Sequence, residues 1–488
     1  LFQYQNSLTK NRFWTRVIMD NNIKEQNQYR SAIMGTDPIW PLLFKFSGPA
    51  IISMTVASTY NIVDAVFVGR LGTEALAALS VTYPLSLSFL AIAAGTGVGA
   101  TSLISRYLGK SERVESYKAA SVAITLCLIL SLCVILSCLP NMKPLLTALG
   151  AQNSVLLLAE EYISVQIKLI VFYYITMVLG HVIRAFGNPM FSSTVMIMSS
   201  LSNIILDPLF IFGLGPIPAM GVKGAAVATV IAQAMSSIIY LCYLFSKSSG
   251  YKFSARYFIP YPKVVYEIYR IGFASIVRSG VQFLVMGVIN REAASHGVVT
   301  LALIGVLIRL GRFVQMPAIG IGQGLLPLIG FNFGAQKMKR VKELVYKASF
   351  SGSIWSWLCW ALIMIFPGYV LAAFGLDSTI LKDGVYAVRL YFCCIFIIGV
   401  QMVPGFFFQG IGQGFPASML SAAKFLIFLL PLILFLTPAY GVTGLWVSFP
   451  IADMLTFFAG LIWMLLEFRK QGIICIDKQK LHELIGTN

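Results

Sequence analysis

Predominantly apolar stretches of about twenty positions follow one another along most of the chain, with short polar stretches between them. A hydrocarbon layer roughly 30 Å thick needs about twenty helical residues to cross it. Runs of that length fall at residues 41–68, 76–105, 119–139, 162–185, 190–212 and 224–245, and again at 266–290, 299–326, 348–371, 385–409, 415–436 and 445–468. Backbone in lipid must satisfy its own hydrogen bonds, so each run predicts a helix. The fold class that follows is an all-α polytopic membrane protein of twelve transmembrane helices, with both termini on one side. Ahead of the first run, Thr36, Asp37 and Pro38 predict a helix start: an N-cap acceptor, then proline at the first helical position.

The pattern of the first six runs recurs in the second six. Gly95-Thr96-Gly97-Val98-Gly99 stands ten residues before Gly109, and Gly320-Ile321-Gly322-Gln323-Gly324 stands ten before Gly334. Gly187-Asn188-Pro189 is echoed by Gly414-Phe415-Pro416, and Gly221-Val222-Lys223-Gly224 by Gly441-Val442-Thr443-Gly444, at offsets of 220 to 227 residues. Repeats in the same order, each with an even number of spans, share one orientation, which predicts two pseudo-symmetric six-helix lobes about an axis along the membrane normal and a cavity between them. The expected organisation is a leader over 1–35, a first lobe over 36–246, a linker over 247–265, a second lobe over 266–468 and a tail over 469–488. Met19 opens a plausible start within the polar leader, so residues 1–18 are expected to be foreign to the native protein.

Composition supports this picture: 58% of residues are hydrophobic and 11% charged. The net charge of +17 would suggest nucleic acid in a soluble chain, but the basic residues are dispersed between the apolar runs. The leader, the 246–265 linker, the loops holding Arg106 to Lys118 and Lys337 to Lys347, and the tail carry most of them, which predicts that these face the cytoplasm. Arg184 groups with the same set. The glycine clusters lie inside apolar runs, so close helix packing explains them better than a nucleotide loop. Gly109-Lys110-Ser111 resembles the end of a phosphate loop, but Ile104 stands where the leading glycine is required. Cysteines and histidines show no metal or disulfide spacing, and no catalytic constellation emerges.

Of nineteen acidic residues, Asp64, Asp207 and Asp453 fall well inside predicted spans. Placing a charge at the bilayer centre costs about 2.5 to 3.5 kcal/mol on insertion scales, so such acids tend to be kept for function. Asp64 lies late in the first span and Asp207 late in the fifth, both running outward, which predicts similar depth and a shared pocket. Asn61 precedes Asp64 by three residues and Asn203 precedes Asp207 by four, placing each amide on the face that carries the acid. Clustered carboxylate, amide and carbonyl oxygens suit Na⁺, and a desolvated carboxylate suits H⁺ exchange. The competing reading is that each acid caps a broken helix or pairs with Arg184 or Arg70. Pro49 loosens the first helix and is expected to let it bend. The second half offers Arg278, Gln282 and Asp453 as candidate cavity residues.

Four stretches resemble the multidrug and toxic compound extrusion (MATE) family, particularly its MepA-like and DinF-like bacterial branch. They are Pro49, the YNIVDAVFVGRLG run ending at Gly72, the SNIILDP run ending at Pro208, and the GVKGAAVAT run from Gly221. The resemblance implies a two-lobed antiporter that exports organic, often cationic, compounds in exchange for H⁺ or Na⁺ by alternating access. It maps the family's first-helix proline and acid onto Pro49 and Asp64 and its fifth-helix amide and acid onto Asn203 and Asp207, with Na⁺ as a candidate at Asp64, Asp207 and Asn203. Where other branches carry an acid in the seventh span, this chain has Arg278, Gln282 and Asn290. The expected setting is a multi-pass protein of the bacterial cytoplasmic membrane, with both termini cytoplasmic. Its expected partners are small organic substrates and membrane lipids, with no nucleic acid, no cofactor beyond the coupling ion, and a monomeric state. A flippase for lipid-linked sugars in the wider superfamily is the alternative function.

Overall fold

The computed structural model describes residues 32–213, 215–216, 218–372 and 381–472; the leader over 1–31, with Met19, and the tail beyond 472 lie outside the described residues. Among the described residues no strand occurs. Among the described residues eleven helices are long and apolar enough to cross a membrane, and a bent pair supplies a twelfth crossing. The first half holds α1 (Ile39–Gly69), α2 (Thr73–Gly109), α3 (Arg113–Cys138), the pair α4 (Asn153–Lys168) and α5 (Ile170–Ala185), α6 (Pro189–Ile211) and α7 (Gly221–Phe245). The second holds α8 (Pro262–Ser295), α9 (Val298–Gly334), α10 (Met338–Ile365), α11 (Gly384–Gly410), α12 (Gly414–Tyr440) and α13 (Val442–Lys470).

Each predicted span lies on one of these crossings, but two crossings are broken. The pair α4 and α5 turns by 55° at Leu169. Its counterpart α11 is interrupted by the 3-10 turn Ile395–Ile397, so both halves break their fourth crossing at matching places. Continuous apolar composition hid both breaks. A π-helical segment, Ala423–Leu429, widens α12.

Packing repeats along with sequence. In the first half α1 lies on α6, α6 on α7 and α2 on α3; in the second, α8 lies on α12, α12 on α13 and α9 on α10. Across the halves α1 packs on α9, α2 on α8, and α2 on α9. Glycine permits these approaches. A methyl group on Gly95 would come within 2.9 Å of the Gly272 carbonyl oxygen on α8, and one on Gly320 within 2.9 Å of the Ile51 backbone on α1. The two glycine clusters are therefore packing surfaces where the halves meet.

The helix start differs from expectation. Residues 32–36 are already helical, Pro38 occupies the N-cap of α1, and no side chain caps it. The Thr36 hydroxyl instead donates back to the Ala32 carbonyl at 3.1 Å, because Thr36 ends the preceding helix. Ile33 and Met34 are fully buried. The Met34, Gly35 and Asp37 carbonyls accept from Asn332 Nδ2 at 2.8 Å, Lys337 Nζ at 2.8 Å and Arg340 Nη2 at 2.6 Å. The last turn of the sequence read as a leader is thus a strap laid across the α9–α10 turn. The lead-in to α8 does the converse: Tyr251 Oη lies 2.6 Å from Ser121 Oγ on α3, and Thr125 Oγ1 donates to the Phe258 carbonyl at 2.7 Å. Each half is strapped by the segment that introduces the other.

Candidate functional site

Asp207 lies on α6, and its side chain is wholly buried. Asn203, one turn earlier, donates from Nδ2 to Asp207 Oδ1 at 3.2 Å and, also at 3.2 Å, to Thr229 Oγ1 of α7. Thr229 is held in turn by donating to the Ala225 carbonyl at 3.0 Å. Pro208 sits inside α6, and its missing N–H leaves the Ile204 carbonyl without a helical partner. The Asp207 carboxylate, the Asn203 amide and the Thr229 hydroxyl form one hydrogen-bonded chain between α6 and α7.

Asp64 reaches this place from α1, which packs along α6. The charge of Asp64 acts on Asp207, and Tyr162 of α4 lies within electrostatic reach of both. Asp64 Oδ1, Asp207 Oδ2 and Asn203 Oδ1 are all buried without a hydrogen-bond partner. Three unsatisfied acceptors in one cluster are a costly arrangement, and adding a cation or protons would relieve it. Neither acid forms an ion pair among the described residues; Arg70 lies over the Phe67 ring at 5.9 Å, and Arg184 pairs with Gln323. The pairing alternative for these acids is therefore not what the chain adopts. The Asn61 backbone is part of α1, while its side chain lies outside the described residues.

Pro49 lies within continuous α1, where it removes one helical hydrogen bond. In the second half Asp453 is paired: Lys424 Nζ stands 2.5 Å from its Oδ1, and Gln401 Nε2 donates to the same oxygen and to the Asp453 carbonyl, each at 3.1 Å. Arg278 and Gln282 share one face of α8 but form no hydrogen bond or ion pair with Asp453, so the three expected cavity residues do not make one cluster by direct contact. Sequence reasoning missed Lys424 and Thr229. The lysine was a charge inside an apolar run and could have been found by the same test as the acids; a threonine in a helix gives no such signal. Arg184, grouped with loop cations, is instead 4% exposed and packed between the halves, because the end of α5 is covered by α9, whose Gln323 accepts from its Nη1 at 2.6 Å.

A family model described as MatE matches the chain over residues 49–209 and again over 271–435. The multidrug export protein MepA of Staphylococcus haemolyticus (strain JCSC1435) is 27% identical over 450 residues, covering 91% of this chain and 97% of that protein. MepA of Staphylococcus aureus (strain NCTC 8325 / PS 47) is 27% identical, with the same shares covered. Among solved structures, a multidrug resistance MATE family transporter of the MOP superfamily in its outward-facing conformation superposes with a TM-score of 0.85 at 25% identity, covering 91% of this chain and 98% of that one. The model's recurrence in both halves agrees with the repeated glycine clusters and the repeated helix contacts. The chain belongs to the MatE family, and it is a multi-pass membrane transporter rather than an enzyme.

Proposed function

We propose that the chain is a multidrug exporter of the bacterial cytoplasmic membrane, moving amphipathic organic, often cationic, compounds outward by alternating access between two six-helix lobes in exchange for H⁺ or Na⁺. The observation that carries the reading is the cluster of Asp64, Asp207 and Asn203, which holds three unpartnered oxygens where a membrane protein should leave none. In this scheme the coupling ion binds there, with Thr229 fixing the Asn203 amide and Pro49 giving α1 the freedom to bend. Both termini and the 247–265 linker face the cytoplasm, and the transporter works as a monomer.

An ion biases alternating access only through differential affinity for the two forms, and moving a population from 1:99 to 99:1 takes about 5.5 kcal/mol. Two acids that meet in one form and separate in the other can supply such a difference, because the repulsion and desolvation relieved by the ion exist only where they meet. Dye accumulation in everted vesicles under an imposed pH or Na⁺ gradient tests the function. Accumulation driven by one gradient and abolished by its collapse is expected; no accumulation under either gradient would refute it.

A further inference from the structure

A cleft of about 530 Å³ opens on the surface of the first half, where α3 ends and α4 begins. One wall is a single stripe of α4, in which Leu157, Glu161, Ser164 and Lys168 follow one another at helical spacing. The opposite stripe, with Ala159, Tyr162, Ile163 and Ile167, is buried, and α4 packs on α2 and α7, so the cleft stripe is the face that no helix covers. The other wall is Leu139, just past α3, and Met142 of the short helix Met142–Ala148.

Charge is ordered along this cleft. Glu160 and Glu161 stand nearer the start of α4, at the membrane surface, and Lys168 stands at its end, beside the bend toward the membrane interior. Seven residues of helix, about 10 Å, separate Glu161 from Lys168. Glu160 is 3.9 Å from Lys143, whose side chain is 68% exposed, while Glu161 and Lys168 are exposed and form no ion pair among the described residues. An apolar row leads up to the charges. Leu128, Leu132 and Leu136 of α3 are 49%, 56% and 65% exposed, a row that faces acyl chains in a bilayer, and Leu139 continues it into the cleft.

We propose that the cleft binds one phospholipid with a primary-amine headgroup, of the phosphatidylethanolamine class. The phosphate meets Lys168, the ammonium meets Glu160 and Glu161, and an acyl chain lies along the leucine row of α3. The order of charges matches the lipid, whose phosphate sits deeper in the membrane than its amine. Two carboxylates and two lysines, Lys143 and Lys168, sum to zero, so an anionic headgroup gains from the lysines and loses to the acids. A choline headgroup is also zwitterionic, but its quaternary nitrogen has no N–H to donate to a carboxylate.

The test offers the purified full chain, in mild detergent, equal amounts of dioleoyl phosphatidylethanolamine, phosphatidylcholine and phosphatidylglycerol, and weighs the lipids it retains by native mass spectrometry. The parent should retain one phosphatidylethanolamine about tenfold or more in preference to either rival, the step that one charge-assisted hydrogen bond supplies. Glu160→Gln combined with Glu161→Gln leaves the lysines alone, so preference should pass to phosphatidylglycerol. Lys168→Gln removes the phosphate contact and should weaken retention of all three lipids. Should the double variant fold poorly, Glu161→Gln, at an exposed and unpaired position, should by itself cut the preference about threefold. Equal retention of the three lipids by the parent overturns the proposal, as does a preference that neither glutamate change moves. Displacement of the lipid by equimolar tetraphenylphosphonium overturns it too, because the cleft would then be a site for organic cations. Lipid retention is read without transport, so these failures leave the export reading intact.

Discussion

Asp207 receives one hydrogen bond on one oxygen and none on the other, although a carboxylate can accept several. Replacing it by asparagine removes the charge at nearly constant volume, and the same holds for Asp64. Each variant should insert and fold, yet lose at least about tenfold in gradient-driven dye efflux, because the ion no longer distinguishes the two forms; full coupled efflux in both would remove these residues from the coupling site. The second-half pair behaves differently. Asp453 is already neutralised by Lys424, and removing one partner of this largely buried pair leaves the other charge uncompensated, at up to about 3 kcal/mol. Asp453→Leu or Lys424→Met alone should therefore lower the melting temperature of the purified protein markedly, and the double variant should recover most of the loss. A double variant as unstable as either single one would show that the pair is not energetically coupled. Asp453→Asn should disturb coupled transport less than either first-half change.

Among elements, the contact of α9 with α1 is the most demanding, since Gly320 and Gly324 press against the backbone at Ile51 and Ser47. Gly320→Leu cannot be accommodated without separating the two helices, so the form in which they touch should be depleted. A cysteine-accessibility assay at Gln323 should then show faster labelling than in the parent, and an unchanged rate would mean the contact is not part of the conformational cycle. These packing surfaces were legible in the sequence because glycine at alternate positions inside an apolar run has few other uses. The acids were legible because charge in such a run is anomalous. Lys424 was equally anomalous, but its meaning depends on α12 lying beside α13, which no spacing reveals. The breaks at Leu169 and before Ile395 were hidden because they change φ and ψ without any change in hydrophobicity. Arg184 was misplaced for a related reason: a cation at the end of an apolar run looks the same whether water or a facing helix covers it.

At the scale of the whole molecule, the two halves meet through helices related by the repeat, α1 on α9 and α2 on α8, and are tied again by the reciprocal straps. Single cysteines introduced between residues 246 and 265 should react with an impermeant reagent only from the cytoplasmic side, and labelling from outside intact cells would invert the proposed orientation. The strap over α9–α10 also bears on how the protein is made. The bond between the Met34 carbonyl and Asn332 joins residues 298 apart, and at about 5 to 20 residues per second a ribosome needs roughly 15 to 60 seconds to synthesise that interval. Through that time Ile33 and Met34 have no native seat, even after the first six crossings end at Phe245. The first half must wait in the membrane with one apolar end uncovered, which makes this interval the point in biogenesis most open to chaperone binding or proteolysis.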